Sequence, residues 1–143
     1  MSLFLATCQG IGLAVAAGTF AGASGRRGAV GALLAAPAAI GGAVMFAISL
    51  SNRDHPAWPG VPLGFVIALL AFGVVSAVVA GAQARARGAS SIGLIVAAVA
   101  LVVAVLSVFV EPLGLVAFGA LLWLASARHR RAQRKYEGLR VLR

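Results

Sequence analysis

The chain has 143 residues, of which 62% are hydrophobic and 10% are charged, and its mean hydropathy is +1.03. This composition excludes a conventional water-facing domain and is typical of an integral membrane protein. The net charge of +9 does not indicate nucleic-acid binding, because the basic residues lie only between and after apolar runs and not on a polar soluble face.

Four apolar runs follow one another along the chain. The first three, at 3–23, 29–50 and 61–82, each have the length that crosses a hydrocarbon core of ~30 Å once as a helix. The fourth has 36 residues, which is too long for one crossing. The Glu111-Pro112 pair should break it, because proline lacks the N–H group that an interior helical position needs. We therefore predict five spans, at about 3–23, 29–50, 61–82, 92–110 and 113–127.

The basic residues predict the orientation of these spans. Lysine and arginine in short loops are retained on the cytoplasmic side of a membrane. With five spans and the N-terminus outside, 11 of the 12 basic residues lie inside and only Arg53 lies outside. A four-span arrangement with both ends inside leaves 4 of them outside. The sequence thus predicts an all-α bundle of five transmembrane helices with a cytoplasmic C-terminus.

The fifth span is the shortest, with 15 residues or about 22 Å of helix. Such a span thins the bilayer, packs beside longer neighbours or begins below the membrane surface. Glu111, which precedes it, then has two interpretations. It is either a turn residue at the level of the headgroups or a partly buried, functional carboxylate, since ionisable groups at membrane depth are usually functional.

Two short sequences indicate an internal repeat. VPLGFV (61–66) and EPLGLV (111–116) share Pro-Leu-Gly and a following valine, and each belongs to a unit that begins after a basic loop. The chain then consists of a leading helix and two helical hairpins of the same orientation. Repeats often place a binding site at the interface of their copies. Sequences rich in Ala, Gly, Leu and Val also match by chance, and both interpretations stay open.

Small residues recur at every fourth position of the first span, at Gly10, Ala14, Gly18 and Gly22. This spacing puts them on one helix face, where they allow two backbones to approach closely. The face is either a subunit interface or a contact with another span of the same chain.

Few residues offer chemistry. The candidate polar site at the outer membrane face consists of Glu111, Asp54, His55 and Gln9. A cluster of the first three could bind a metal or relay protons, yet the stretch around Asp54 also has the composition of an exposed turn. Cys8 is the only cysteine, and no catalytic dyad, nucleotide-binding loop or metal-ligand spacing is present. We expect no enzyme, no cofactor and no metal.

The basic tail, 128–143, adjoins the cytoplasmic leaflet in this topology. We expect it to lie along the membrane as a short helix, or to act only as a stop-transfer and orientation signal. Its cations should contact anionic lipid headgroups, through Arg128, Arg130, Arg131, Arg134 and Lys135.

These patterns favour a small transport or channel-like protein that moves a small solute, ion or lipid and acts as an oligomer. That hypothesis requires Glu111, Asp54 or Gln9 to face a cavity between repeats or subunits. The alternative is a non-catalytic membrane scaffold or accessory subunit, which requires a tightly packed bundle. The predicted partners are membrane lipid and either further copies of the chain or another membrane protein, and the predicted location is the cytoplasmic membrane of a bacterium.

Overall fold

The computed structural model describes residues 2–26, 28–86, 91–110 and 112–140, with residues 2 and 131–140 described by their backbone alone. These residues form five helices: α1 (Ser2–Gly22), α2 (Ala29–Ser51), α3 (Gly60–Arg85), α4 (Ser91–Phe109) and α5 (Leu113–Arg140). The predicted all-helical fold is confirmed. Four helices, α1 to α4, are long and apolar enough to cross a membrane. This supports a polytopic membrane protein.

The long apolar run breaks where the sequence predicted. Helix α4 ends at Phe109 and α5 begins at Leu113, whose N–H group donates a hydrogen bond to the carbonyl oxygen of Val110. Glu111 itself lies outside the described residues.

Helix α5 continues without interruption from its apolar part into the basic tail, as far as Arg140. We expected the tail to form a separate short helix along the membrane, and the continuous helix instead gives residues 128–140 the direction of α5. The physical reason lies in the composition, because Ala, Arg, Gln and Lys are strong helix formers and the junction contains no proline or glycine.

Helix α1 is the centre of the bundle. It packs against all four other helices, and α2 and α3 pack against it and against each other. Helices α4 and α5 are held mainly by α1 and make few contacts with each other. The buried core that joins these helices includes Val15, Phe46, Ile67 and Leu121.

The stripe of small residues on α1 explains this central position. A Cβ atom built on Gly10 would lie 2.6 Å from Ser49 Oγ of α2, and one on Gly22 would lie 3.1 Å from the backbone of Phe72 in α3. Gly18 is in close contact with α3 in the same way, and Ala14 is fully buried. The stripe therefore packs inside the bundle, against helices of its own chain.

The close contacts also define the helix directions. Helices α1 and α3 run in the same direction. Gly18 of α1 contacts Ala68 of α3, and Gly22, one turn later in α1, contacts Phe72, one turn later in α3. Helix α4 runs the other way, because Gly12 meets Ser107 and Ala23 meets Gly93. The loops after α1 and α3 thus lie at one end of the bundle, which we call the basic end because it carries Arg26 and Arg85.

The two Pro-Leu-Gly sequences have similar local roles but different neighbours. Both glycines lie in the first turns of a helix at a close helix crossing. Gly64 meets Gly42 of α2, its own hairpin partner, whereas Gly114 meets Cys8 and Gly12 of α1. The repeat stays a prediction, because the hairpin α2–α3 is closely packed and the hairpin α4–α5 is not.

Candidate functional site

Asp54 terminates helix α2. It has a φ of 59°, in the left-handed region, and its N–H group donates to the carbonyl oxygen of Ser51 at 3.1 Å. The next N–H group, of His55, donates to the carbonyl oxygen of Leu50 at 3.2 Å. This pair of bonds around a left-handed residue is the Schellman motif, which satisfies carbonyl groups at a helix end. Aspartate tolerates the left-handed conformation better than most side chains, so the backbone explains its presence here.

Gln9, Asp54 and His55, the predicted polar residues that the structure describes, lie apart from the four grooves considered next. Asp54 is exposed, while His55 and Gln9 are half-buried. Four grooves formed by the described residues have other linings, and Gln9, Asp54 and His55 contribute to none of them. The described residues also contain no group of three or more His, Cys, Asp or Glu side chains that could hold a metal ion.

Among the described side chains, three serines are buried within the helices, and each donates its hydroxyl to a backbone carbonyl oxygen. Ser76 and Ser107 bond within their own helices, to Gly73 and Val103. Ser49 donates within α2 to Phe46 at 2.7 Å and also reaches α1, where the carbonyl oxygen of Ala6 lies 3.2 Å away. Such bonds stabilise helices and their packing, and they occupy the hydroxyl groups.

An open groove lies between α4 and α5, and we call it the α4–α5 groove. It has a volume of about 460 Å³ and lies where α4 and α5 diverge, with a floor from α1 and α3. Its walls are almost entirely apolar and include Val99, Val103, Ala117, Ala120 and Leu124.

The wall formed by α4 is largely exposed. Only 11% of its most apolar 18 residues are buried, against 44% in α1, and Ala100 and Ser107 are its buried residues. Leu94, Ile95 and Leu101 are more than half exposed. Helix α4 therefore presents apolar side chains on nearly every face.

A polar contact joins α5 to α3 near the basic end. The Arg128 guanidinium donates a hydrogen bond from Nη1 to the carbonyl oxygen of Val74 at 3.3 Å. Arg128, His129 and Gly73 line a small cleft there.

Among the predicted headgroup residues, Arg128 and Arg130 are exposed. The side chains of the others, Arg131, Arg134 and Lys135, lie outside those described.

Comparison of the chain with protein-family models, with curated proteins and with solved structures found no match. The function is therefore argued from the geometry alone.

Sequence reasoning missed the α4–α5 groove, although one signal was present. Helix α4 has no charged residue and is apolar on all sides, which is typical of a helix that is surrounded by lipid or by other helices. What the sequence did not show is that α5 leaves one flank of α4 uncovered.

Proposed function

We propose that this protein is a non-catalytic membrane subunit that assembles with another transmembrane helix through the α4–α5 groove. The observation that carries the proposal is the divergence of α4 and α5. Helices α1, α2 and α3 form a compact core, while α4 and α5 each pack on α1 and leave a groove between them.

The groove has the side chains that helix association in lipid requires. Lipid tails are as apolar as leucine, so association depends on close packing, and small residues permit it. Ala100, Ala117 and Ala120 line the groove beside the larger Val99 and Leu124. A partner helix could approach the backbone of α5 at the two alanines while the larger residues pack at its sides.

The tight core supports the same proposal. Glycine contacts between α1, α2 and α3 leave no room for a Cβ atom at Gly18, Gly42 or Gly64. In the α1–α3 core, Ser49 and Ser76 are buried and donate their hydroxyl groups to backbone carbonyl oxygens, as expected of tight packing. A transport function would require a passage between assembled copies, with Glu111 facing it.

The first test is the mass of the tagged protein extracted in native membrane discs. The wild type is expected to have a mass above that of one chain, whether the partner is a second copy or another membrane protein. The Ala120→Trp substitution fills the groove and should reduce the complex to the single chain. Ala36→Trp, at an exposed position on α2, is the matched control and should preserve the complex.

A second test separates assembly from transport. Ion and lipid flux is measured in proteoliposomes that contain the wild type or Glu111→Gln. The assembly proposal expects no flux above protein-free vesicles in either case. Flux in the wild type that is lost in Glu111→Gln would favour the transport hypothesis.

A further inference from the structure

A second groove, distinct from the α4–α5 groove, begins at the basic end of the bundle. Its mouth has a volume of about 400 Å³ and lies between the end of α1, the end of α3 and the start of α4. Three polar side chains line it, from Ser24, Arg26 and Gln83, and its inner wall is formed by Phe20, Leu94 and Ala97.

The polar part of this mouth is built by the loop after α1. Gly25 has a φ of 63°, which reverses the chain, and the N–H group of Arg26 donates to Ser24 Oγ at 3.4 Å. Gln83 of α3 lies against this loop, since a Cβ atom on Gly25 would come within 2.7 Å of Gln83 Oε1. The amide nitrogen faces the other way, 3.7 Å from the Cβ position of Gly93 on α4. The Gln83 amide therefore lies between the turn and α4, in the same lining as the exposed Arg26.

An apolar groove lies beside the mouth and reaches toward the centre of the bundle. This groove, of about 460 Å³, shares Phe20 with the mouth and runs between α1, α2 and α4. Its lining includes Leu13 and Ala17 of α1, Pro37 and Met45 of α2, and Leu101 of α4. We call the mouth and this extension together the α1–α4 groove.

The length of the groove fits one membrane leaflet. From Ala23 at the mouth to Leu13, α1 advances ten residues, or about 15 Å. Half of a hydrocarbon core of ~30 Å has the same thickness. The groove is thus polar where a lipid headgroup lies and apolar over the depth of one acyl chain.

The charge at the mouth selects the headgroup. Arg26 is exposed at the mouth, and Arg85, the last residue of α3, is exposed at the same end of the bundle. Asp54 belongs to the loop at the opposite end, and Glu137 lies in the C-terminal part of α5, more than two turns beyond Arg128. A guanidinium group and amide N–H groups are donors suited to a phosphate diester. We infer that the α1–α4 groove binds one anionic phospholipid, with its phosphate at Arg26 and Gln83 and one acyl chain along α1 and α4.

Native mass spectrometry of the purified protein tests this inference. The protein is stripped of lipid and titrated with dioleoyl phosphatidylglycerol, with dioleoyl phosphatidylcholine or with glycerol 1-phosphate, which has the phosphate without the chains. We expect one tightly held phosphatidylglycerol, with phosphatidylcholine held more weakly. Glycerol phosphate should not displace it, because it cannot fill the apolar part.

Three substitutions locate the site. Arg26→Gln should weaken phosphatidylglycerol binding about fivefold, the usual effect of one basic residue near an anionic lipid. Arg130→Gln removes the same charge at an exposed position on α5 and should have no effect on this site. Ala97→Phe fills the mouth without changing the charge and should remove the bound lipid, and its circular dichroism and monodispersity show whether it has folded.

Equal binding of phosphatidylglycerol and phosphatidylcholine would overturn the inference. An equal loss of phosphatidylglycerol binding in Arg26→Gln and Arg130→Gln would also overturn it, since both results describe non-specific annular lipid. Displacement by glycerol phosphate would also overturn it, because the site would then be a phosphate site without an acyl chain. Retention of the lipid by folded Ala97→Phe would place it elsewhere on the protein.

Discussion

Ser49 of α2 and Ala6 of α1 are joined by a hydrogen bond of 3.2 Å from the serine hydroxyl to the alanine carbonyl oxygen, inside the bundle. One turn further along α1, a Cβ atom on Gly10 would lie 2.6 Å from the same hydroxyl. The two helices approach so closely because glycine, alanine and serine occupy the crossing. Packing of small residues, supported by a hydroxyl group, is the way that membrane helices associate without a hydrophobic driving force.

Removal of this hydrogen bond should have a small, measurable effect. Ser49→Ala is expected to lower the free energy of unfolding by about 0.6 kcal/mol, and at most ~1.7 kcal/mol, as for other hydrogen bonds between membrane helices. Ser126→Ala is the control, because Ser126 bonds only within α5, to Trp123, and is exposed. Unfolding in mixed detergent micelles measures both. An equal effect of the two substitutions would show that the bond to Ala6 contributes nothing.

The adjacent glycines of α2 provide a sharper comparison. A Cβ atom on Gly42 would lie 2.5 Å from Ala68 Cβ and 2.9 Å from the carbonyl oxygen of Gly64, both in α3, while one on Gly41 meets nothing within 4 Å. Gly42→Leu should therefore separate α2 from α3 and lower the free energy of unfolding by ~1–3 kcal/mol or more. Gly41→Leu should be tolerated. Thermal unfolding in detergent measures both, and equal stability of the two variants would contradict the packing.

Asp54 should tolerate glycine and not a branched side chain. Its φ of 59° is unfavourable for most residues, and glycine adopts it without strain. Asp54→Gly is expected to leave the melting temperature unchanged or to raise it. Asp54→Val should lower the melting temperature, because it reduces the free energy of unfolding by ~1–2 kcal/mol. If Asp54 instead served as a functional carboxylate, Asp54→Gly would impair activity or assembly while the fold persisted.

The predicted orientation can be tested with single cysteines. Cys8 is buried and only 1% exposed, and it is replaced by alanine to give a cysteine-free protein. In that protein, Asn52→Cys in the α2–α3 loop should react with a membrane-impermeant maleimide on intact cells. Ala86→Cys, after α3, should react only after permeabilisation. The opposite pattern would place the N-terminus and the Asn52 loop in the cytoplasm.

The sequence predicted the helices better than their arrangement. Hydropathy and the Glu111-Pro112 pair located all five helices, because a backbone in lipid must satisfy its own hydrogen bonds and proline prevents this. The four-residue spacing from Gly10 to Gly22 puts small residues on one helix face, but spacing does not show which helix that face meets.

The candidate site was less predictable. Asp54 was predicted as a site residue because acidic residues are rare in this chain. Its role at the end of α2 depends on a left-handed φ, which composition does not show. The apolar run located the predicted span to Ala127, but it does not show whether the helix continues, and arginine and lysine are good helix formers. The α4–α5 groove depends on how α4 and α5 pack on α1, and the α1–α4 groove on how α4 packs beside α1, and both are properties of packing between distant segments.

The most direct test of assembly through the α4–α5 groove is photo-crosslinking in intact membranes. A photoreactive phenylalanine analogue replaces Val99, in the groove wall, or Ile40, on the outer face of α2. These residues are matched in exposure, at 56% and 60%. We expect Val99 to yield one discrete protein adduct and Ile40 to react with lipid alone. The absence of a protein adduct at Val99, or the same adducts at both positions, would contradict the proposed interface.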